Sequence, residues 1–264
     1  PLPAFTNGIK ISPDSKYIAF VNRYTFKFNV LEFREGRYES SFESASHKGM
    51  TINIEFSLDS RHILTASQDG RARVFDLTTK SLKFAPLEYG FFFNAPMAFS
   101  PDGKFFAIST SIGSDALTPV ICDLETGEKL YELSHFSGVM DMLFTPDANY
   151  LITGSRDKTA KVWHTSTGAN LTTLNVDDWV MGVGVDPHNM DQVFTFSRDR
   201  AIYAHSLKSG RYVDGPFQQP LIGDFLLSKV KTNPNLDYFV NIYSENTISL
   251  WPIGAKIGVT NKDR

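Results

Sequence analysis

Short stretches in which apolar and polar residues alternate recur along the whole chain, and no stretch keeps the 3.6-residue spacing of an amphipathic helix. In the clearest example, the run Val139 to Phe144 alternates up to a Pro-Asp turn, and Tyr150 to Ser155 alternates after it. A tight turn at 156–158 separates that run from Thr159 to Trp163, and a looser stretch, Asn170 to Leu174, follows. Alternation between turn residues is typical of antiparallel strands joined by hairpins. The pattern therefore predicts an all-β fold.

The turn that joins the first two strands occurs six times, as ISPDSKYIAF, FSLDSRHILT, FSPDGKFFAI, FTPDANYLIT, VDPHNMDQVF and TNPNLDYFVN. The second turn residues are 41 to 47 residues apart. They are Pro13, Leu58, Pro101, Pro146, Pro187 and Pro234. Four short strands in about 44 residues are typical of one blade of a β-propeller. We expect one propeller domain over residues 1–264, with repeats near 1–44, 45–89, 90–132, 133–174, 175–217 and 218–264.

The fourth repeat carries the most specific motif. It contains LSH at 133–135, FTPD at 144–147, TGSRDKT at 153–159 and Trp163. In these residues the chain resembles the WD-repeat β-propeller family, and the six copies of the turn extend the resemblance over essentially the whole chain. The six copies of the repeat predict six visible blades of four antiparallel strands. The alternative is a seven-bladed ring, the commoner number in that family, with one blade missing or supplied by flanking sequence.

The resemblance also implies a hydrogen-bonded set inside each blade, made of a His, a Ser or Thr, an Asp and a Trp. In the fourth repeat we assign His135, Ser155, Asp157 and Trp163, with Thr153 as the alternative hydroxyl. In the other repeats the set is incomplete. The second keeps His47, Ser67 and Asp69 but has Phe75 for Trp, the fifth has Asp199 and His205, and the sixth keeps Trp251.

Composition narrows the function classes. The chain has 26 Lys and Arg against 29 Asp and Glu, a net charge of -3, so it lacks the strong positive field that favours nucleic acid. Its 22 Phe and 10 Tyr suit the filling between sheets. A single cysteine, Cys122, excludes an internal disulfide and favours an intracellular location, cytoplasmic or nuclear. No apolar run is long enough to span a bilayer, and the initial proline suggests a piece of a longer protein.

Catalytic chemistry has little support in the sequence. His135, Ser155 and Asp157 are the residue types of a hydrolase triad, but the same types recur in the second repeat, which favours a structural role. The six histidines are scattered without a metal-binding spacing, and no phosphate-binding loop or dinucleotide motif is present. We therefore expect no metal, no cofactor and no enzymatic activity.

Two groups of residues are candidates for binding. The slot before each inner strand holds Phe5, Met50, Phe93, Gly138 and Trp179, mostly large and apolar. The resemblance implies that peptides dock at this end of the propeller, although the same side chains would alternatively plug the central channel. The turns between second and third strands carry Arg156, Lys158, Arg198 and Arg200, which predict a basic arc for acidic or phosphorylated segments.

These observations predict a non-catalytic scaffold that binds protein segments on the face and rim, as a subunit or domain of a larger assembly. One alternative is a nucleic-acid-associated propeller of a ribonucleoprotein. A propeller hydrolase is the other, and it requires carboxylates or histidines in the channel.

Overall fold

The computed structural model describes residues 6–22, 27–43, 47–90, 96–110, 118–186, 188–218, 227–232, 238–243 and 248–252. Side chains are described within 9–109 and 118–216 of those ranges. Strands and turns, without any helix, make up these parts of the chain. The prediction of an all-β fold is confirmed.

Six antiparallel sheets follow one another along the chain, and we call them blades 1 to 6. Blade 1 contains β1 (Thr6–Ile11), β2 (Tyr17–Asn22), β3 (Phe28–Arg34) and β4 (Arg37–Glu43). Blade 2 contains β5 (Thr51–Phe56), β6 (His62–Ser67), β7 (Arg71–Asp76), β8 (Ser81–Leu82) and β9 (Leu87–Glu88). Blade 3 contains β10 (Met97–Phe99), β11 (Phe105–Thr110), β12 (Thr118–Asp123) and β13 (Lys129–Glu132).

The second half of the chain repeats this arrangement. Blade 4 contains β14 (Val139–Phe144), β15 (Tyr150–Ser155), β16 (Thr159–His164) and β17 (Asn170–Asn175). Blade 5 contains β18 (Val180–Val185), β19 (Gln192–Ser197), β20 (Ala201–Ser206) and β21 (Tyr212–Gln218). Blade 6 contains β22 (Leu227–Thr232), β23 (Tyr238–Tyr243) and β24 (Ile248–Pro252).

Within each blade the strands pair in the order in which they occur along the chain. Blade 2 departs slightly, because its outer position is divided between β8 and β9, which both pair with β7. The first strands of successive blades lie side by side, from β1 and β5 through to β18 and β22. This is the architecture of a WD-type β-propeller, as predicted, with six sheets among the described residues. The repeat boundaries stay a prediction.

The recurrent turn is held by a hydroxyl side chain, which is present in the first four copies of the turn. In blades 1 to 4 a Ser or Thr donates to the Asp two residues later, at 2.5 to 2.7 Å, and accepts the N–H that begins the second strand. These hydroxyl residues are Ser12, Ser57, Ser100 and Thr145. The same side chain thus satisfies an acceptor and a donor inside a tight reversal, which explains why the phrase recurs. The turn prolines of the fifth and sixth copies, Pro187 and Pro234, lie outside the described residues.

The hydrophobic core is divided into clusters that lie between neighbouring blades. One cluster joins blades 1 and 2 around Phe28 and Phe75, and the next joins blades 2 and 3 around Tyr89 and Phe106. Blades 3 and 4 meet around Trp163, and blades 4 and 5 around a Val-rich set that includes Val180. A single sheet leaves such a face uncovered, so each blade is stabilised by its neighbours.

A glycine sets the contact between blades 4 and 5 near the start of the inner strand. A Cβ on Gly154 in β15 would lie 2.6 Å from Cγ1 of Val180, the first residue of β18. Because glycine has no side chain, β18 packs closely against blade 4 at this point. The close packing fixes the backbone of the preceding residue, Trp179, beside the turns of blade 4.

Candidate functional site

Blade 4 contains a complete buried set of polar side chains. Nε1 of Trp163 donates to Oγ1 of Thr153 at 2.8 Å, and Nε2 of His135 lies 2.7 Å from the same hydroxyl. On the other side of the ring, Nδ1 of His135 is 2.8 Å from Oδ2 of Asp157. Because a carboxylate only accepts, Nδ1 carries the proton and Nε2 accepts from Thr153. The set is a continuous chain of hydrogen bonds from Trp163 to Asp157.

The assignment of Ser155 to this set is wrong, and Thr153 is the hydroxyl that takes part. Ser155 instead donates to the carbonyl oxygens of Ser137 and Gly138 and accepts the N–H of Asp157. Blade 2 repeats the correction, since His47 contacts Thr65 at 2.9 Å whereas Ser67 donates to Gly49. In both blades the Thr inside the second strand faces the His, whereas the Ser at the end of that strand accepts a hydrogen bond within the following turn.

Burial and hydrogen bonding indicate a structural role for this polar set. Burial raises the pKa of Asp157, but hydrogen bonds from His135 and Thr159 outweigh burial and hold it well below its usual range. Burial lowers the pKa of His135, and the hydrogen bond to Asp157 opposes that effect only in part. His135 is 9% exposed and both of its ring nitrogens are occupied. A substrate therefore has no access to its imidazole.

Blade 2 keeps the His and the Asp but separates them with an arginine that the sequence analysis did not single out. Arg73, 3% exposed, donates to Nδ1 of His47 at 2.7 Å and makes a two-pronged ion pair with Asp69 at 2.8 and 3.1 Å. Since guanidinium only donates, His47 carries its proton on Nε2, the opposite tautomer to His135. Burial and the charge of Arg73 lower the pKa of His47 to about 4.

Blade 5 has lost the set. Val176 occupies the position of the His, and His205 occupies that of the Trp. The buried Oγ1 of Thr195, Oγ of Ser197 and Nε2 of His205 have no hydrogen-bond partner among the described residues. The polar chemistry of blade 5 lies at its end instead, where the Tyr203 hydroxyl donates to Asp177 at 3.0 Å.

Trp179 lies at that end, and two predicted binding residues meet on its indole. The guanidinium carbon of Arg198 is 4.4 Å from the ring centroid, and that of Arg156 is 5.0 Å away. Arg198 belongs to the turn between β19 and β20 of the same blade, and its N–H donates to the carbonyl of Trp179. Arg156 comes from the equivalent turn of blade 4 and donates from Nε to Sδ of Met140. We call Arg156, Trp179 and Arg198 the arginine–tryptophan cluster.

Trp179 is half-buried, whereas both arginines are exposed. The indole therefore lies at the surface between two blades, with arginine stacked on it, and does not fill a hydrophobic core. Stacked guanidinium groups keep fewer conformations than free ones, so the cluster is ordered before any ligand arrives.

The other predicted binding residues are not brought to this cluster. Lys158 and Arg200 are the last residues of their turns, with positive φ, and among the described residues neither makes a cation–π contact with Trp179. Met50 is half-buried at the start of blade 2. Phe5 and Phe93 lie outside the described residues, and Trp251 is on β24, where side chains are not described.

Sequence reasoning missed Phe136, whose side chain is 94% exposed. It lies in the segment that leads into β14, at the same end of the sheets as Trp179, and Nζ of Lys161 is 5.5 Å from its ring. A single exposed ring is common on a folded domain, so Phe136 matters here only because it lies at the same end of the sheets as Trp179. No periodic slot marks it, because the equivalent residues are Lys48 in blade 2 and Asp177 in blade 5.

The described residues contain no group of three His, Cys, Asp or Glu side chains that would hold a metal ion. Among the same residues, no helix is long and apolar enough to cross a membrane.

Comparison with known proteins places the chain in a family. The family model for the WD domain, G-beta repeat, matches residues 40–76 and 127–164. WD repeat-containing protein 1 of Bos taurus is 28% identical over 186 residues, 69% of this chain and 30% of that protein. The chain belongs to the WD-repeat family. Actin-interacting protein 1 of Drosophila melanogaster is 30% identical to this WD-repeat chain over 191 residues, 70% of the chain and 29% of that protein.

A third relative aligns with almost the whole of this WD-repeat chain. The non-catalytic subunit wdr4 of tRNA (guanine-N(7)-)-methyltransferase from Dictyostelium discoideum is 21% identical over 275 residues, 95% of the chain and 58% of that protein. The match covers less than a third of the first two relatives. WD-repeat homologues of this kind support a role as a protein-interaction scaffold.

Proposed function

We propose that this WD-repeat propeller is a non-catalytic scaffold that binds a protein segment at the arginine–tryptophan cluster, as a subunit or domain of a larger assembly. The single observation that carries the proposal is the surface indole of Trp179 with two exposed arginines stacked on it. Tryptophan and arginine are the side chains most often found at the energetic centre of protein interfaces.

The surroundings of the cluster support a preformed binding surface. Trp179 is held by the close packing of β18 on blade 4, and its N–H is hydrogen-bonded to Asp178 at 2.8 Å. Phe136 adds a second exposed ring at the same end of the sheets. A rigid surface loses little conformational entropy on binding, so the contact area contributes more fully to affinity.

The alternatives have less support. A hydrolase requires an accessible base, and His135 is buried with both nitrogens occupied. A nucleic-acid-associated role is supported by the name of the Dictyostelium relative, but the chain has a net charge of -3 and lacks the strong positive field that favours nucleic acid. Actin is the first protein to test as a partner, because one relative is named for interacting with it.

The proposal is tested by measuring the affinity of the purified chain for fluorescein-labelled degenerate dodecapeptide libraries and its co-sedimentation with actin filaments. Trp179→Ala is expected to weaken library binding about tenfold or more, since a central interface tryptophan contributes about 2 kcal/mol or more. Phe33→Ala is the matched control, because it removes an aromatic ring of 46% exposure from blade 1. Equal binding by wild type and Trp179→Ala would contradict the proposal.

A further inference from the structure

We infer that the arginine–tryptophan cluster is a phosphate-binding site, and that the segment bound there carries a phosphorylated side chain. The inference rests on the proposed function, because it specifies the ligand of the same surface. Two features of the described residues carry it: two guanidinium groups lie over one surface indole, and neither of them has a carboxylate partner there.

Both guanidinium groups lie over the same surface indole. Their carbons are 4.4 and 5.0 Å from the Trp179 ring centroid, for Arg198 and Arg156 respectively. A phosphate at the edge of that ring has several acceptor oxygens, so one phosphate offers acceptors to both guanidinium groups. Because the arginines come from adjacent blades, the site exists only where blades 4 and 5 meet.

Neither arginine is neutralised within the described part of the chain. No ion pair there includes Arg156 or Arg198, although Arg34, Arg37, Arg71 and Arg73 each have one. Among the described residues, the one side-chain hydrogen bond of the two guanidinium groups runs from Nε of Arg156 to the sulfur of Met140, which leaves the terminal nitrogens for a ligand. Both groups are cationic, so an anion at the edge of the indole is attracted to each of them.

The acidic residues nearby are held by other groups. Asp157 accepts from His135 and Thr159, Asp177 accepts from Tyr203, and Asp178 accepts the N–H of Trp179. Asp199, beside Arg198, accepts the N–H of Ala201 at 3.1 Å. These contacts direct the carboxylates into their own loops, so they do not occupy the cluster.

Charge distinguishes a phosphate from a carboxylate. A phosphoserine carries a charge of about -1.5 to -2 near pH 7 and has three acceptor oxygens, which matches two guanidinium groups with several donors each. An Asp or Glu side chain carries a charge of -1 and fills one arginine fork. A phosphorylated segment therefore satisfies the cluster more completely than an acidic one.

The test compares three degenerate dodecapeptide libraries whose central residue is phosphoserine, glutamate or serine, measured by fluorescence anisotropy with the whole chain. Wild type is expected to bind the phosphoserine library about tenfold or more tightly than the serine library, with glutamate between them. The variant Arg156→Gln/Arg198→Gln is expected to lose that preference, so that its affinities for the phosphoserine and serine libraries differ by no more than about twofold. Arg156→Lys/Arg198→Lys keeps the charge and loses the forks, so it is expected to keep only part of the preference.

Arg61→Gln is the matched control, because it removes one exposed arginine from the turn between β5 and β6, away from the cluster, and is expected to keep the preference. Equal affinity for phosphoserine and serine, with both weakened by Trp179→Ala, would overturn the phosphate site and leave the proposed function standing. A preference retained by Arg156→Gln/Arg198→Gln would also overturn it. Failure of all three libraries to bind would contradict the proposed function itself.

Discussion

The first three strands of blades 4 and 5 are six residues long and pair in the same order, yet the two blades use their polar residues differently. Blade 4 encloses Trp163, Thr153, His135 and Asp157 in one chain of hydrogen bonds. Blade 5 has Val176 in place of the His and leaves the hydroxyl of Thr195 without a partner among the described residues. Its tryptophan, Trp179, is at the surface with arginines on it.

The difference shows that the blade architecture does not depend on the polar set. Apolar packing between sheets holds both blades, because valines, leucines and aromatic rings fill each side of the interfaces. Blade 4 adds a buried network that stabilises one geometry. Blade 5, without that network, carries the surface features on which the proposed function depends.

The largest effect is expected for the tryptophan of blade 4. Trp163→Ala removes a buried indole and leaves the Thr153 hydroxyl without its donor, so the free energy of unfolding should fall by about 3 to 5 kcal/mol. Chemical denaturation with urea measures this change. A loss below about 1 kcal/mol would show that the buried polar set adds little to the stability of blade 4, and would contradict the difference drawn between blades 4 and 5.

The hydroxyl at the centre of the second strand gives a matched pair of variants. Thr153→Val leaves both Nε1 of Trp163 and Nε2 of His135 unpaired in the interior, which should cost about 2 to 3 kcal/mol. Thr195→Val, at the same position in blade 5, removes a hydroxyl that has no partner among the described residues and should be neutral within about 0.5 kcal/mol, or slightly stabilising. Equal losses for the two variants would contradict the comparison.

A smaller effect, with a pH signature, is expected for the turn aspartates. Asp157→Asn weakens the hydrogen bond between His135 and the Asp157 carboxylate and should cost about 2 kcal/mol at pH 7, whereas Asp199→Asn affects one backbone hydrogen bond and should cost under about 1 kcal/mol. The folded-state pKa of Asp157 lies below its unfolded value of about 3.9. Its contribution is therefore present above that pH and is lost as the pH falls further.

Thermal unfolding followed from pH 7 down to pH 3 measures this dependence. The difference in stability between wild type and Asp157→Asn should narrow below about pH 4, because the unfolded chain then binds a proton at Asp157 that the folded protein does not bind until the pH is lower still. A difference that stays constant over the whole range would show that Asp157 does not act through its charge.

The sequence predicted the strands, the recurrent turns and the family, because alternation and turn chemistry are local properties. It also singled out Trp179, Arg156 and Arg198, although their contact depends on how two blades meet. It did not distinguish Thr153 from Ser155, since both are hydroxyl residues on one strand and only the register decides which faces the His. Arg73 was missed because the sequence alone does not show which arginines are buried, and most arginines lie on the surface.

Phe136 escaped detection for a related reason. Apolar residues are abundant in every repeat, and a sequence does not say which of them lacks a covering neighbour. The exposure of Phe136 depends on how the blades pack, because the segment before β14 lies where no neighbouring part of the described chain covers the ring.

The most direct test of the account measures two quantities on one preparation of Trp179→Ala, the free energy of unfolding and the affinity for the phosphoserine library. We predict that the affinity falls about tenfold or more while the free energy of unfolding stays within about 1 kcal/mol of wild type. A loss of about 3 kcal/mol in stability with unchanged affinity would instead make Trp179 a core residue and contradict the central claim.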